Sequence, residues 1–220
     1  MPGDSLTVTV VPTGVANLAS IVTALRRLGT EVAMSVNPVE IGAASHVVLP
    51  GVGSYAAGIR YLDDHDLRGA LVERIEADRP TLAVCLGMQM LSRGSEEAPG
   101  AAGLGVMNAR ATRFPGTVRV PQLGWNRVAV GEGATDAAPH CRFVCESGYA
   151  YYANSYRLVE RPGDGWSCAM SDYAGPFVAC AERGSVLACQ FHPELSGVWG
   201  MALIERWLRL AQTGKEAPTC

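Results

Sequence analysis

Long apolar runs are missing from this chain, and so is any excess of positive charge. No hydrophobic stretch approaches the ~20 residues needed to cross a bilayer, and the opening MPGDSLTVTVVP has no basic segment leading into an apolar one. A protein of the cytoplasm, with no membrane partner, is expected. With 18 Lys and Arg against 21 Asp and Glu the formal charge is -3, which leaves no field to attract nucleic acid. Cysteines are few and odd in number: Cys85, Cys141, Cys145, Cys168, Cys180, Cys189 and Cys220 stand at irregular spacings, so a disulfide framework is excluded and reduced thiols are expected. Cys141 and Cys145 lie beside His140, but no second ligand pair at zinc-like spacing accompanies them, so no metal site is expected. Repeats, low-complexity tracts and linkers are absent as well, and 48% hydrophobic against 18% charged residues is a globular balance. A single domain over 1–220 follows.

What is present is an alternation of short β-rich runs and helical patterns. Leu6–Val11 reads as a buried strand, and Asn17 can cap a helix through Leu28 with Leu18, Ile21, Val22, Leu25 and Leu28 on one face. Strands are expected at 31–36, 46–49 and 81–85, with helices at 56–62 and 67–77 between the last two. Strands separated by helices imply right-handed crossovers and a parallel sheet covered on both faces. From about Val106 the pattern changes. Strands at 126–130, 149–153, 166–170, 177–181 and 186–190 are joined by Gly- and Pro-containing turns, and an amphipathic helix over 198–210 places Ile204, Trp207 and Leu208 in the core. The expected class is therefore α/β: an open, mostly parallel sheet with helices on both faces and an antiparallel extension in its second half.

In such sheets, sites lie beyond the carboxyl ends of the strands. Pro50-Gly51-Val52-Gly53 and Cys85-Leu86-Gly87 both fall there. Cys85 follows an apolar strand and precedes a short helix at 88–92, the setting of a nucleophile elbow, in which a sharp turn lifts the reactive side chain and aims the next backbone N–H at a substrate oxygen. A helix N-terminus also favours thiolate over thiol. Gly87 allows close packing of helix on strand.

A thiol nucleophile needs a base, and only His46, His65, His140 and His192 are available. His46 begins an inner strand, His65 lies in an acidic helical stretch and His140 in a polar loop. His192 follows an apolar strand within Gln190-Phe191-His192-Pro193-Glu194, where Pro193 takes the chain out of the sheet. In extended geometry His192 and Glu194 point the same way, so the carboxylate can hold the imidazole tautomer while the other ring nitrogen faces Cys85.

These pieces, in order, resemble the class I (triad) glutamine amidotransferases, and within them the glutaminase subunits of imidazole glycerol phosphate synthase. The similarity runs over almost the whole chain: Asn17-Leu18-Ala19-Ser20, Pro50-Gly51-Val52-Gly53, Cys85-Leu86-Gly87-Met88-Gln89, Ser95-Glu96-Glu97, Gly103-Leu104-Gly105, Pro121-Gln122-Leu123-Gly124-Trp125-Asn126, Ser155-Tyr156 and Gln190-Phe191-His192-Pro193-Glu194. The resemblance implies the flavodoxin-like glutamine amidotransferase fold, L-glutamine as substrate, no cofactor, and a triad of Cys85, His192 and Glu194. It implies an oxyanion hole from the backbone of Gly51, Val52 and Gly53 with the N–H of Leu86, and a glutamine site at Gln89, Asn154, Ser155 and Tyr156. It also implies an interface at Gln122, Trp125 and Asn126 with a (β/α)8-barrel cyclase that receives the ammonia. The chain departs from the family pattern at Gln122, Asn154 and Leu195. A paralogue feeding ammonia to another acceptor, such as a sugar-amidating enzyme, and a catalytically silent subunit are the alternative readings.

Overall fold

The computed structural model describes residues 5–13, 18–131 and 141–213. Asn17, the expected helix cap, and His140 lie outside the described residues.

A seven-stranded sheet forms the centre. Five strands are parallel: β1 (Thr7–Val10), β2 (Glu31–Met34), β3 (His46–Leu49), β4 (Thr81–Val84) and β13 (Val186–Cys189). Two antiparallel strands, β12 (Pro176–Arg183) and β11 (Ser167–Asp172), extend it, giving the order β11-β12-β13-β4-β3-β1-β2. Period-two alternation sorts each inner strand between two cores. Val48, Leu82, Val84, Leu187 and Cys189 face α1 (Leu18–Arg27) and α6 (Gly197–Thr213), whose Ile21, Leu25, Leu203, Ile204 and Trp207 complete that layer. Val47, Leu49, Ala83, Val186 and Ala188 face α2 (Pro38–Ala43), α3 (Tyr55–Asp64), α4 (Leu67–Glu76) and α5 (Leu86–Leu91) through Ile41, Ile59, Leu62, Leu71, Ile75 and Leu86. With both faces covered, β3, β4 and β13 are buried at every position and read as continuous apolar runs.

Two smaller sheets complete the fold. One has the order β10-β7-β5-β6, built from Tyr156–Leu158 (β10), Arg110–Arg113 (β7), Gly94–Ser95 (β5) and Ala98–Ala102 (β6). The other is the antiparallel pair β8 (Gln122–Val128) and β9 (Gly148–Asn154), with Trp125 opposite Tyr151 and Gln122 opposite Asn154.

The bottom of the sheet, where β3 and β4 begin, is closed by Arg74 of α4. Its guanidinium donates to Thr81 Oγ1 at 3.0 Å and to the carbonyls of Ile41 (2.6 Å), Ala44 (3.1 Å), Ser45 (3.4 Å) and Pro80 (2.9 Å). Burial, and then the neighbouring Arg79, lower the Arg74 pKa to about 10. His46 packs edge-on against Trp207 there; burial and the charge of Arg74 hold its pKa down at about 4. Cys85, Cys141, Cys168, Cys180 and Cys189 are free thiols, and Cys220 lies outside the described residues.

Candidate active site

Three adjacent parallel strands end at one rim. β3 leads into Pro50-Gly51-Val52-Gly53, β4 into Cys85, and β13 into Gln190, Phe191 and His192. Because β4 lies between the other two, the thiol is flanked by a glycine-rich loop on one side and the histidine on the other. Cys85 has φ 55 and ψ -108, a left-handed conformation that costs a non-glycine residue about 1–3 kcal/mol. It is held on both sides: its N–H donates to Cys189 O at 2.7 Å and its carbonyl accepts the Gln89 N–H at 3.2 Å. Gly87 is required by approach, since a Cβ there would overlap the carbonyl oxygen of Leu49, and a Cβ on Gly51 would meet Leu86 Cβ at 2.9 Å. The elbow expected from the sequence is thus built, with α5 starting at Leu86 rather than Met88.

His192 is extended (φ -97, ψ 96) and leads into a short 3-10 helix at Pro193–Leu195. Its Nδ1 lies 2.9 Å from Glu194 Oε1, with both side chains nearly fully buried. The imidazole opens on the same cleft as the Cys85 side chain. Burial pulls its pKa down, but its interactions with Cys85 and Glu194 outweigh it and raise the value to about 10. Backbone bonds fix the ring's base: His192 N–H donates to Tyr151 O at 2.9 Å, and Ser196 Oγ donates to His192 O at 2.6 Å.

The cleft above Cys85 has a volume of about 250 Å³ and is lined by His192, the Val52-Gly53 loop, Leu86, Gln89, Glu97 and the 153–156 segment. That is below the roughly 300–1,000 Å³ typical of drug-sized ligands and suits a small molecule. Gln89 is buried rather than exposed on its helix, and its Nε2 donates to both Tyr156 O and Gln190 Oε1 at 3.0 Å. Asn154 is buried, donating Nδ2 to Tyr156 O at 3.0 Å, while Ser155 and Tyr156 are half-buried. All four expected glutamine-site residues therefore line one cleft with Cys85 and His192. Glu97 was not singled out as a site residue, yet its carboxylate lines the cleft and accepts the Tyr55 N–H at 3.1 Å. The Leu86 N–H, expected to face the substrate oxygen, donates to Gly51 O at 3.3 Å instead.

The three expected interface residues separate. Trp125 is 59% exposed on the outer face of β8, edge-on to Tyr151 and on the same face of the β8–β9 pair as the exposed Leu123 and Tyr149. Gln122 is 4% exposed and points inward, which removes it as a surface contact. Asn126 is half-buried with its Nδ2 tied to Asp172 O at 2.9 Å, so it bridges strands. The other described histidines are structural: His46 sits in the core, and His65 caps α3, its ring on Tyr61 and its Nδ1 2.9 Å from Tyr61 O. No helix among the described residues is long and apolar enough to cross a membrane.

Residues 10–209 match the family model described as glutamine amidotransferase class-I. Over 208 residues the chain is 36% identical to a protein of Thermococcus kodakarensis named imidazole glycerol phosphate synthase subunit HisH, covering 92% of this chain and 100% of that one. It is also 36% identical over 208 residues to imidazole glycerol phosphate synthase hisHF, chloroplastic, of Arabidopsis thaliana, with 91% of this chain but only 34% of the plant protein covered. Among solved structures, one titled as a glutamine amidotransferase superposes with a TM-score of 0.72 at 21% identity, covering 94% of this chain and 99% of that one.

Proposed function

The chain belongs to the class I glutamine amidotransferase family, and from that premise we propose that it hydrolyses L-glutamine to L-glutamate and ammonia through Cys85, His192 and Glu194, as the glutaminase subunit of an imidazole glycerol phosphate synthase. The observation that carries the reading is the buried pair of Glu194 Oε1 and His192 Nδ1, 2.9 Å apart, opening on the same cleft as Cys85 on its strained elbow.

In this reading the Cys85 thiolate adds to the side-chain amide carbon of glutamine, and the carbonyl π electrons move to oxygen. The imidazolium then gives its proton to the departing nitrogen, and ammonia leaves behind a thioester. His192, now neutral, takes a proton from water as the water adds to the thioester. Cys85 departs as thiolate and glutamate is released. Glu194 holds the imidazole in the tautomer whose free nitrogen faces the sulfur. Glu97 supplies a carboxylate for the substrate ammonium, and the Gln89 amide, its N–H groups both engaged, offers its oxygen. Stabilisation of the oxyanion by Leu86 requires its bond to Gly51 O to open; turning the Gly51–Val52 peptide would release that donor and present the Val52 N–H beside it, each worth about 3 kcal/mol in the transition state.

Delivery of the ammonia to a (β/α)8-barrel cyclase is supported by the relatives carrying the synthase name and by the plant protein, which extends well beyond the third this chain matches. Trp125 and Tyr149 on the outer face of the β8–β9 pair offer the aromatic anchors such a contact uses. The test is a thiol-reactive glutamine analogue followed by peptide mass spectrometry. Labelling of Cys85 with loss of glutaminase turnover is expected; turnover that survives full modification of Cys85 would overturn the reading. Turnover with and without a cognate cyclase then tests the partner.

A further inference from the structure

Gln190 is fully buried and has no part in the triad, yet its side chain lies against the nucleophile: Nε2 is 3.8 Å from Cys85 Sγ, within reach of a hydrogen bond to sulfur. We propose that Gln190 is a further catalytic residue, whose amide N–H donates to the Cys85 sulfur and holds it as thiolate, with Gln89 fixing the direction of that donor. This rests on the reading of Cys85 as the nucleophile.

The direction follows from hydrogen-bond bookkeeping. An amide can be turned by exchanging its oxygen and nitrogen, and only its partners decide which way it points. Gln89 has two partners for one terminal atom, Tyr156 O and Gln190 Oε1, both at 3.0 Å. The first is a backbone carbonyl, which can only accept, so the Gln89 atom facing it must be the NH2 group. That same NH2 then faces Gln190, which must answer with its oxygen. The Gln190 nitrogen is thereby turned toward Cys85. One backbone carbonyl, 67 residues from Gln89, thus sets the polarity of the relay from Tyr156 through two glutamines to the sulfur.

The position suits the role. Gln190 continues β13, its backbone N–H donating to Ala179 O at 2.8 Å, and β13 is the strand that delivers His192 two residues later. A thiolate can accept more than one hydrogen bond, and a donor that does not titrate keeps its proton when the histidine gives its own away. During departure of ammonia, His192 loses its charge, while the Gln190 donor is still in place when the sulfur leaves the thioester. A buried neutral donor favours the charged form of its acceptor.

The experiment is the pH dependence of Cys85 alkylation by iodoacetamide in the full chain, followed on the Cys85 peptide by mass spectrometry, for wild type, Gln190→Met and Gln190→Glu. The titratable groups around the sulfur are His192 with Glu194 behind it, Glu97 and Tyr156 across the cleft, and the thiol of Cys189, and none is altered. Methionine removes the donor and keeps the volume; glutamate keeps the shape and puts an acceptor on the sulfur. The alkylation midpoint is expected to rise by about one pH unit in Gln190→Met and further in Gln190→Glu. Gln89→Leu, which frees the Gln190 amide to turn, should raise it by less, and it serves if the Gln190 variants do not fold. Midpoints unchanged in both Gln190 variants, or in Gln89→Leu where those do not fold, overturn the proposal. A wild-type Cys85 that is no more reactive than an ordinary exposed thiol overturns the nucleophile assignment instead, so the two failures are distinct.

Discussion

Replacing Arg74 with methionine tests whether the bottom of the sheet is held by a single side chain. The five hydrogen bonds of its guanidinium join the end of α2, the start of β3 and the start of β4. Methionine retains much of the apolar stem but no donor. Pro80 O keeps the Val47 N–H at 3.0 Å, and Thr81 Oγ1 still donates to Arg79 O at 2.9 Å. The carbonyls of Ile41 and Ala44, and the longer-bonded one of Ser45, lose their guanidinium partner, and a buried polar group left unpaired costs about 1–3 kcal/mol. The two closest of these, at Ile41 and Ala44, put the loss at roughly 2–6 kcal/mol, a large part of the ~5–15 kcal/mol that holds a domain together. With a urea slope of about 3 kcal/mol per molar, the midpoint should fall by about 0.7–2 M. Glutaminase turnover at 20 °C should survive, because Arg74 is at the opposite end of strands about 13 Å long. A midpoint shift under about 0.3 M, or a collapse of turnover in the folded variant, would refute the reasoning.

Cys85→Ala should abolish turnover with the fold intact, and Glu194→Gln should be milder than His192→Ala, as read from kcat with glutamine; a glutamate variant worse than the histidine variant would reverse the two roles. Trp125→Ala should weaken association with the cyclase by about 2 kcal/mol or more while leaving the melting temperature within a few degrees, because 59% of that side chain already faces solvent. Acid should destabilise the protein through His46: with its folded pKa at about 4, below the ordinary 6.5, the unfolded chain takes up the proton first. Stability is then full above about pH 6.5 and falls as pH drops toward 4, by about 2 kcal/mol at pH 4.5, and His46→Leu should show a smaller loss between urea midpoints at pH 7 and 4.5.

The parallel half was legible because its strands are continuous apolar runs and its helices carry clear faces; β3 begins and ends at the expected residues. The elbow and the His192–Glu194 pair were legible because their geometry is local, a strand end and a spacing of two. The small sheet was missed: β6 reads Ala-Pro-Gly-Ala-Ala, with no alternation and a proline, and α2 is only six residues long. Grouping Gln122 and Asn126 with Trp125 contradicted strand periodicity, since positions an odd number apart lie on opposite faces; an exposed Trp125 forces the other two inward. Gln190 and Glu97 depend on contacts that no spacing encodes, the first reaching a cysteine 105 residues away.

The left-handed backbone of Cys85 sets fold and chemistry against each other. At φ 55 every residue except glycine bears the strain, so Cys85→Gly should be more stable than the parent, and Cys85→Ala should not gain in the same way. The sturdier protein is the inert one. A lineage screened for thermal endurance alone would drift toward glycine at this turn, and a cysteine there marks a chain that is kept for what it does to glutamine.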